Sequence, residues 1–283
     1  MKRLLIIGIG AGDPGHLTFQ GAAAIAAADV FLLVGKGEAK DDLTRLRRDL
    51  IAAHGREPYR IVEARDPERD RAAPAYTAAV EDWRSRRARI YESFIADDLA
   101  DGQTGALLVW GDPGVYDSTL AALEEIDAGF EYEVVPGISS VSALTARHRV
   151  ALTRVGRPVH ITTGRRLAAE GPTADDVLVM LDAACSFTGA GDDYHIYWGA
   201  YLGTPDEILI EGPVTEVADR IRTARADARA RKGWIMDTYL LRRDLSGDGR
   251  DVTGSASRTR GFLRRVCRRL VRAGARRPRG ARS

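Results

Sequence analysis

The sequence predicts an α/β protein made of two successive blocks. Three observations predict it. Short apolar runs of strand length alternate with longer helical patterns, as they do where parallel strands are joined by crossover helices. The first run, Arg3–Ile9, is a nearly unbroken stretch of Leu and Ile, which suits a central strand covered on both faces. The length, 283 residues, exceeds what one core comfortably serves.

After Arg3–Ile9, the stretch Gly8-Ile-Gly-Ala-Gly-Asp-Pro-Gly15 makes a turn, and Thr18 reads as the N-cap of an Ala-rich helix to Ala28. Val30–Val34 is a second strand, ended by Gly35-Lys-Gly37. Helical patterning covers about Ala39–Ala53 and Ala73–Ala100. Ala106–Trp110 is a strand, Ser118–Ile126 a helix and Tyr132–Val135 a strand. Pro136-Gly137 breaks that strand, and Ser139 and Ser140 open a helix to about Arg147. The second block reads as strands at His160–Thr163, Val177–Leu181 and Tyr194–Trp198, a helix over Pro213–Ala230, and a last strand over Gly233–Leu241. The expected division is therefore an N-terminal α/β domain 1–148, a C-terminal α/β domain 149–243 and a tail 244–283.

Composition excludes some classes and leaves others. A hydrophobic share of 45% and a charged share of 29% fit a soluble globular chain. No apolar run approaches the ~20 residues of a membrane span. The opening Met-Lys-Arg-Leu-Leu-Ile-Ile runs straight into a strand pattern, unlike a signal peptide, so a cytoplasmic protein is expected. Cys185 and Cys267 lie far apart, and the five histidines form no spaced cluster, so neither a disulfide nor a metal site is expected. The net charge of +2 conceals an asymmetry: residues 244–283 hold twelve Arg and three Asp, a local charge of +9, which leaves −7 for residues 1–243. Within the tail, Gly261–Arg272 puts Leu263, Val266, Cys267 and Leu270 on one helical stripe and arginines on the other. Such a segment suits either an anionic surface or a solvated, poorly ordered extension.

Two loops carry chemistry. Trp110-Gly-Asp-Pro-Gly-Val-Tyr-Asp-Ser-Thr119 follows a buried strand, and open α/β sheets bind ligands outside the carboxyl ends of their strands. The other, Gly10-Ala-Gly-Asp-Pro-Gly15, matches the dinucleotide fingerprint and raises a nicotinamide oxidoreductase as a rival. Three details argue against that rival. Pro14 sits inside the motif, Gly35-Lys36-Gly37 stands where an acidic residue should end the second strand, and Asp13 would set a carboxylate near the diphosphate.

The segments Gly8-Ile-Gly-Ala-Gly-Asp-Pro-Gly-His-Leu-Thr18, Gly111-Asp-Pro-Gly-Val-Tyr116 and Val135-Pro-Gly-Ile-Ser-Ser140 occur in the order and spacing of the tetrapyrrole (corrin/porphyrin) methyltransferase family, which the chain resembles over about residues 1–243. Four longer segments resemble the member that methylates C1 of a corrin precursor: Gly102–Thr119, Ile161–Leu167, Ile196–Thr204 and Gly233–Arg242. The resemblance implies S-adenosyl-L-methionine as cofactor, precorrin-5 as substrate, acetate as second product, and a homodimer. Another ring position, C11 or C20, is the alternative within the same fold. Nothing in the resemblance accounts for the Arg-rich tail.

The resemblance also implies a cofactor cleft between the two domains, with largely backbone contacts. Mapped onto this chain, these are Pro14, Gly111, Asp112, Val115, Tyr116, Ser139 and Ser140 from the first domain. From the second they are Met180, Leu181, Ala200, Tyr201, Leu202, Trp234, Ile235 and Met236. By composition alone Met180, Leu181 and Ile235 read equally well as core. Asp112, Tyr116 and Asp117 are the catalytic candidates. Asp112 reads at least as well as a residue bonding its own turn, and Tyr116 is a better hydrogen-bond donor than a base. Arg165, Arg166 and Lys36 are candidates for the carboxylate arms of the substrate, which arginine pairs with bidentately.

Overall fold

The computed structural model describes residues 1–35, 41–68, 76–127 and 129–245. Lys36 and the tail from 246 onward, with its amphipathic segment and Cys267, lie outside the described residues. Met1–Asp244 forms one compact unit with two five-stranded sheets.

The first sheet is parallel throughout, in the order β3-β2-β4-β1-β5. Its strands are β1 (Lys2–Gly8), β2 (Val30–Gly35), β3 (Arg60–Arg65), β4 (Thr104–Val109) and β5 (Phe130–Val135). The two-residue period of a strand sends Leu4 and Ile6 to one face and Leu5 and Ile7 to the other, and all four are buried. On one face they meet Ala88, Tyr91, Phe94 and Ile95, from helix α3 (Tyr76–Ser93) and the π-helical turn that prolongs it. On the other they meet Ile25 of α1 (Phe19–Ala26) and Leu50 and Ile51 of α2 (Asp41–His54). Thr18 caps α1 as expected, its hydroxyl accepting from the Gly21 amide at 2.9 Å. Helix α4 (Thr119–Leu123) is shorter than its pattern suggests, and α5 (Ser140–His148) begins where expected, on Ser139.

The second sheet is mixed, in the order β6-β7-β10-β8-β9. Only β6 (Val159–Thr163) and β7 (Asp176–Met180) run parallel. Strands β8 (Tyr194–Ala200), β9 (Ile208–Pro213) and β10 (Asp237–Arg243) pair antiparallel with their neighbours. Helix α7 (Val214–Lys232) covers one face through Val214, Val217, Ile221 and Ala228, packed near Ile196, Trp198 and Tyr239.

Three elements are missing from the sequence reading. Strand β3, Arg-Ile-Val-Glu-Ala-Arg, is an edge strand whose charged ends dilute its apolar pattern. Strand β9 has Gly212 and Pro213 at its end, which reads as a helix start, and α7 does begin on Pro213. The Gly164-Arg-Arg166 stretch is no terminal turn: it opens α6 (Gly164–Glu170), capped by Thr163, whose Oγ1 accepts from the Arg166 amide.

An apolar cluster joins the loop after β1 and helix α5 to the second sheet. Ala11, Val141, Ala143 and Leu144 pack with Leu178, Met180, Leu202 and Leu240, and Val115 lies against them. Among the described residues no helix is long and apolar enough to cross a membrane.

Candidate active site

At the carboxyl end of the first sheet three glycine loops interlock. Gly10 and Gly111 exchange backbone hydrogen bonds of 3.1 and 2.7 Å. Asp112 ties two loops together: Oδ1 accepts from the Gly114 amide at 2.8 Å and Oδ2 from the Gly137 amide at 2.9 Å. These bonds are those of the turn-forming role weighed for it from the sequence. Tyr116 follows at φ +59°, in the left-handed region that costs a residue with a Cβ on the order of 1 kcal/mol or more, and its side chain is 51% exposed. Asp117 accepts from the Thr119 amide at 2.6 Å. Ser139, buried, caps α5 by accepting from the Ser142 amide at 3.2 Å, and Ser140 starts the helix beside it.

The Gly10–Gly15 loop packs chain against chain. A Cβ on Gly12 would stand 2.6 Å from Thr204 Cγ2 and 2.7 Å from the Leu202 carbonyl. Asp13 Oδ1 takes the Gly15 amide at 2.8 Å, a donor a diphosphate would need. Pro14 is exposed on the short 3₁₀ turn that follows. The dinucleotide reading loses its two physical requirements here: open backbone and available amides.

In the second sheet the register brings the other predicted residues to one edge. Met180 lies beside Thr163 and Thr238, Thr238 beside Gly199, and Asp237 beside Ala200. The ends of β6, β7 and β8 and the start of β10 therefore coincide. Leu181 leaves β7 at φ +54°, its amide donating to the Asp237 carbonyl at 3.1 Å, and its side chain is 48% exposed. Tyr201 leaves β8 at φ +50°, its amide donating to the Met236 carbonyl at 3.0 Å. Its phenol turns inward and donates to the carbonyls of Ala228 and Trp234. The Trp234 ring stands edge-on to it at 5.0 Å, with the Lys232 ammonium 5.4 and 5.9 Å from the two ring centres. Ile235 and Met236 are half-buried between Trp234 and β10. Tyr116, Leu181 and Tyr201 are three of five non-glycine residues with positive φ among the described residues. All three lie in loops at strand ends, and strain held in place there points to a ligand site.

Val115 packs against the apolar cluster that holds Met180 and Leu202, so predicted cofactor loops of both blocks come together. Tyr116 then faces the edge of β6 across a cavity of about 360 Å³, lined by Tyr116, His160, Ile161, Thr162, Thr163 and Arg166. Arg166 pairs with Glu170 at 2.7 Å, and Arg165 is exposed beside it. A larger cavity, of about 480 Å³, lies between Thr188–Asp192 and the first turns of α7, and none of the predicted loops lines it. The sequence reading put His160, Ile161, Thr162 and Thr163 on a strand but not among the site residues. The signal for them was Ile161, an apolar residue on a strand that turned out to be an edge and left half-exposed.

This arrangement suits a ligand that is apolar on one part and polar on another. Val115, backed by the buried Met180 and Leu202, offers an apolar wall. A Cβ on Gly111 would meet nothing nearer than Ser139 Cα at 4.0 Å, so open space lies over that backbone. Two buried ring nitrogens near the loops, His16 Nδ1 and Trp110 Nε1, have no hydrogen-bond partner among the described residues. The wall can hold an adenosyl group while backbone groups orient its polar end.

Comparison with known proteins shows the family and the fold. The family model of the Tetrapyrrole (Corrin/Porphyrin) Methylases matches residues 3–218. A precorrin-6A synthase [deacetylating] of Sinorhizobium sp. is 47% identical over 255 residues, covering 88% of this chain and 98% of the relative. Among solved structures, a cobalamin synthesis related protein (CobF) from Corynebacterium diphtheriae is 34% identical with a TM-score of 0.73, covering 86% of this chain and 99% of that one. The uroporphyrin-III C-methyl transferase of Thermus thermophilus, solved with S-adenosyl homocysteine, shares the fold at 18% identity and a TM-score of 0.51, covering 85% and 92% of the two chains.

Proposed function

Since the chain belongs to the tetrapyrrole (corrin/porphyrin) methylases, we propose that it moves the methyl group of S-adenosyl-L-methionine to C1 of precorrin-5 and releases acetate, giving precorrin-6A. The observation that carries this reading is the 47% identity to the Sinorhizobium precorrin-6A synthase across 98% of that protein's length. Within it, domains 1–148 and 149–243 close on the donor, and the chain works as a soluble homodimer.

The donor supplies an electrophilic methyl group on a sulfonium. Gly111, Asp112, Val115, Tyr116, Ser139 and Ser140 hold it from the first sheet, with Pro14 at the rim. Met180, Leu181, Ala200, Tyr201, Leu202, Trp234, Ile235 and Met236 hold it from the second. Their strand-end loops keep the donor folded and exclude water from the methyl. Holding nucleophile and methyl in line contributes on the order of 7–11 kcal/mol. Asp112 serves as the clamp that fixes the loop, as its two amide partners indicate.

The substrate lies over the 360 Å³ cavity, where Ile161 and Tyr116 expose apolar surface. Arg165 and Arg166 reach its carboxylates, Arg166 by exchanging Glu170 for a substrate arm. Lys36 is a further candidate outside the described residues. Asp117, exposed, accepts the proton of the water that adds to the acetyl ketone, and the Tyr116 phenol donates to the oxygen that gains charge. The C1–acetyl bond then breaks, its electron pair staying on C1 and the acetyl carbon leaving as acetate. That pair forms the new C1–methyl bond as the sulfur–methyl bond breaks, its electrons staying on sulfur, so that S-adenosylhomocysteine leaves.

Incubation with precorrin-5 and methyl-labelled S-adenosyl-L-methionine tests this reading. Labelled product and acetate are expected in equal amounts. Label without acetate would transfer the assignment to another ring position such as C11 or C20, and neither product would remove it. Binding of S-adenosylhomocysteine but not NAD is expected in parallel.

A further inference from the structure

We propose that Asp182 is a positioning residue for methyl transfer: its buried carboxylate holds the neighbouring Leu181 backbone in the left-handed turn that contacts the donor. The proposal rests on the methyl-donor reading above and adds to it the group that maintains the strained loop.

Asp182 is 2% exposed, and both its oxygens are engaged by neutral donors. Oδ1 accepts from the Ala184 amide and the Ser186 hydroxyl, each at 3.0 Å. Oδ2 accepts from the Ser186 amide and from the Tyr239 phenol, the latter at 2.8 Å. Tyr239 is fully buried on β10, and burial pushes its phenol well above the ordinary range, so it remains a donor. The carboxylate thus pins the loop after β7 to the strand beside it. On the other side of Leu181, its own amide is held by the Asp237 carbonyl. A leucine does not choose φ +54° by itself, and bonds on both sides over-determine it. Asp182 also underlies α6: a Cβ on Gly164 would stand 2.2 Å from Asp182 Oδ1. One carboxylate therefore sets the donor loop and seats the helix that carries Arg165 and Arg166.

A double-mutant cycle on the full chain tests this. S-adenosylhomocysteine affinity is measured for the wild type, Asp182→Asn, Leu181→Gly and the double variant. In the Asn variant the new amide hydrogens meet the Ser186 amide, and affinity is expected to fall about tenfold, as for one or two lost hydrogen bonds. Glycine in place of Leu181 adopts the left-handed turn without help, so in that background the same change is expected to cost only about twofold. Equal losses in both backgrounds, or no loss in either, would overturn the proposal and leave the methyl-donor reading standing. If Asp182→Asn does not fold, Tyr239→Phe, which removes one donor, replaces it in the cycle with an expected loss of about threefold that again shrinks in the Leu181→Gly background. A wild-type chain with no affinity for S-adenosylhomocysteine would remove the donor reading and the proposal together.

Discussion

Gly137→Ala is expected to weaken donor binding severely. A Cβ at that position would lie 2.2 Å from the Gly111 carbonyl oxygen and 2.7 and 2.8 Å from the backbone C and Cα of Gly8. All three atoms belong to backbone, so no rotamer change relieves the contact. The end of β1, the Gly-Asp-Pro loop and the Pro-Gly turn after β5 meet with no room for one more carbon. Forcing a methyl group into such a space costs typically ~1–3 kcal/mol, and more where backbone must move. The turn must shift away from Gly111, which breaks the Asp112–Gly137 bond and displaces Ser139. Affinity for S-adenosylhomocysteine is expected to fall by about a hundredfold or more, with Tm lowered by about 2–4 °C per kcal/mol lost. Calorimetric titration and a thermal melt of the same sample measure both. Wild-type affinity would show that this junction does not shape the donor site.

Asp112→Ala is the second large effect. The substitution leaves the amides of Gly114 and Gly137 without their acceptor. An unsatisfied, partly buried amide costs about 1–3 kcal/mol. Tyr116 keeps its left-handed conformation only while the loop around it is held, so losing the clamp lets it relax. KM for the methyl donor is expected to rise ~10–100-fold. Asp112→Asn, which keeps one acceptor oxygen, is expected to fall between the two. A change in kcat with KM for the donor unaltered would mean that Asp112 acts on the reacting atoms instead.

The first sheet was legible because its central strands are buried on both faces and announce themselves as unbroken apolar runs. Thr18 and Ser139 then marked the starts of α1 and α5 through ordinary capping. Strand β3 escaped because an edge strand carries charge at Arg60, Glu63 and Arg65. The second sheet was legible as strands except for β9, and not as a mixed sheet, since antiparallel pairing of β10 between β7 and β8 is a long-range choice that no local pattern records. Gly164 looked like the end of a strand. Its smallness answers instead to Asp182 packed against it, a contact invisible in sequence.

The candidate site follows the same division. The Gly-Asp-Pro loop could be placed at a strand end from glycine and proline alone. The left-handed conformations of Tyr116, Leu181 and Tyr201 could not, because nothing in those side chains favours positive φ, and only the bonds around them impose it. Asp237 belongs to that hidden layer. It is 5% exposed, accepts from Trp198 Nε1 at 3.2 Å and from Arg225 at 3.1 Å, and burial pushes its carboxyl above the usual carboxylate range against the pull of Arg225. In sequence it is an aspartate entering a strand, with its arginine a helix away.

Hydrogen exchange of the full chain with and without S-adenosylhomocysteine tests most directly that both sheets hold the donor through their strand-end loops. Slowed exchange is expected at residues 111–116, 137–140, 180–184, 200–204 and 234–237 together. Protection confined to one sheet, or centred on residues 188–192 and 214–222 around the larger cavity, would contradict it.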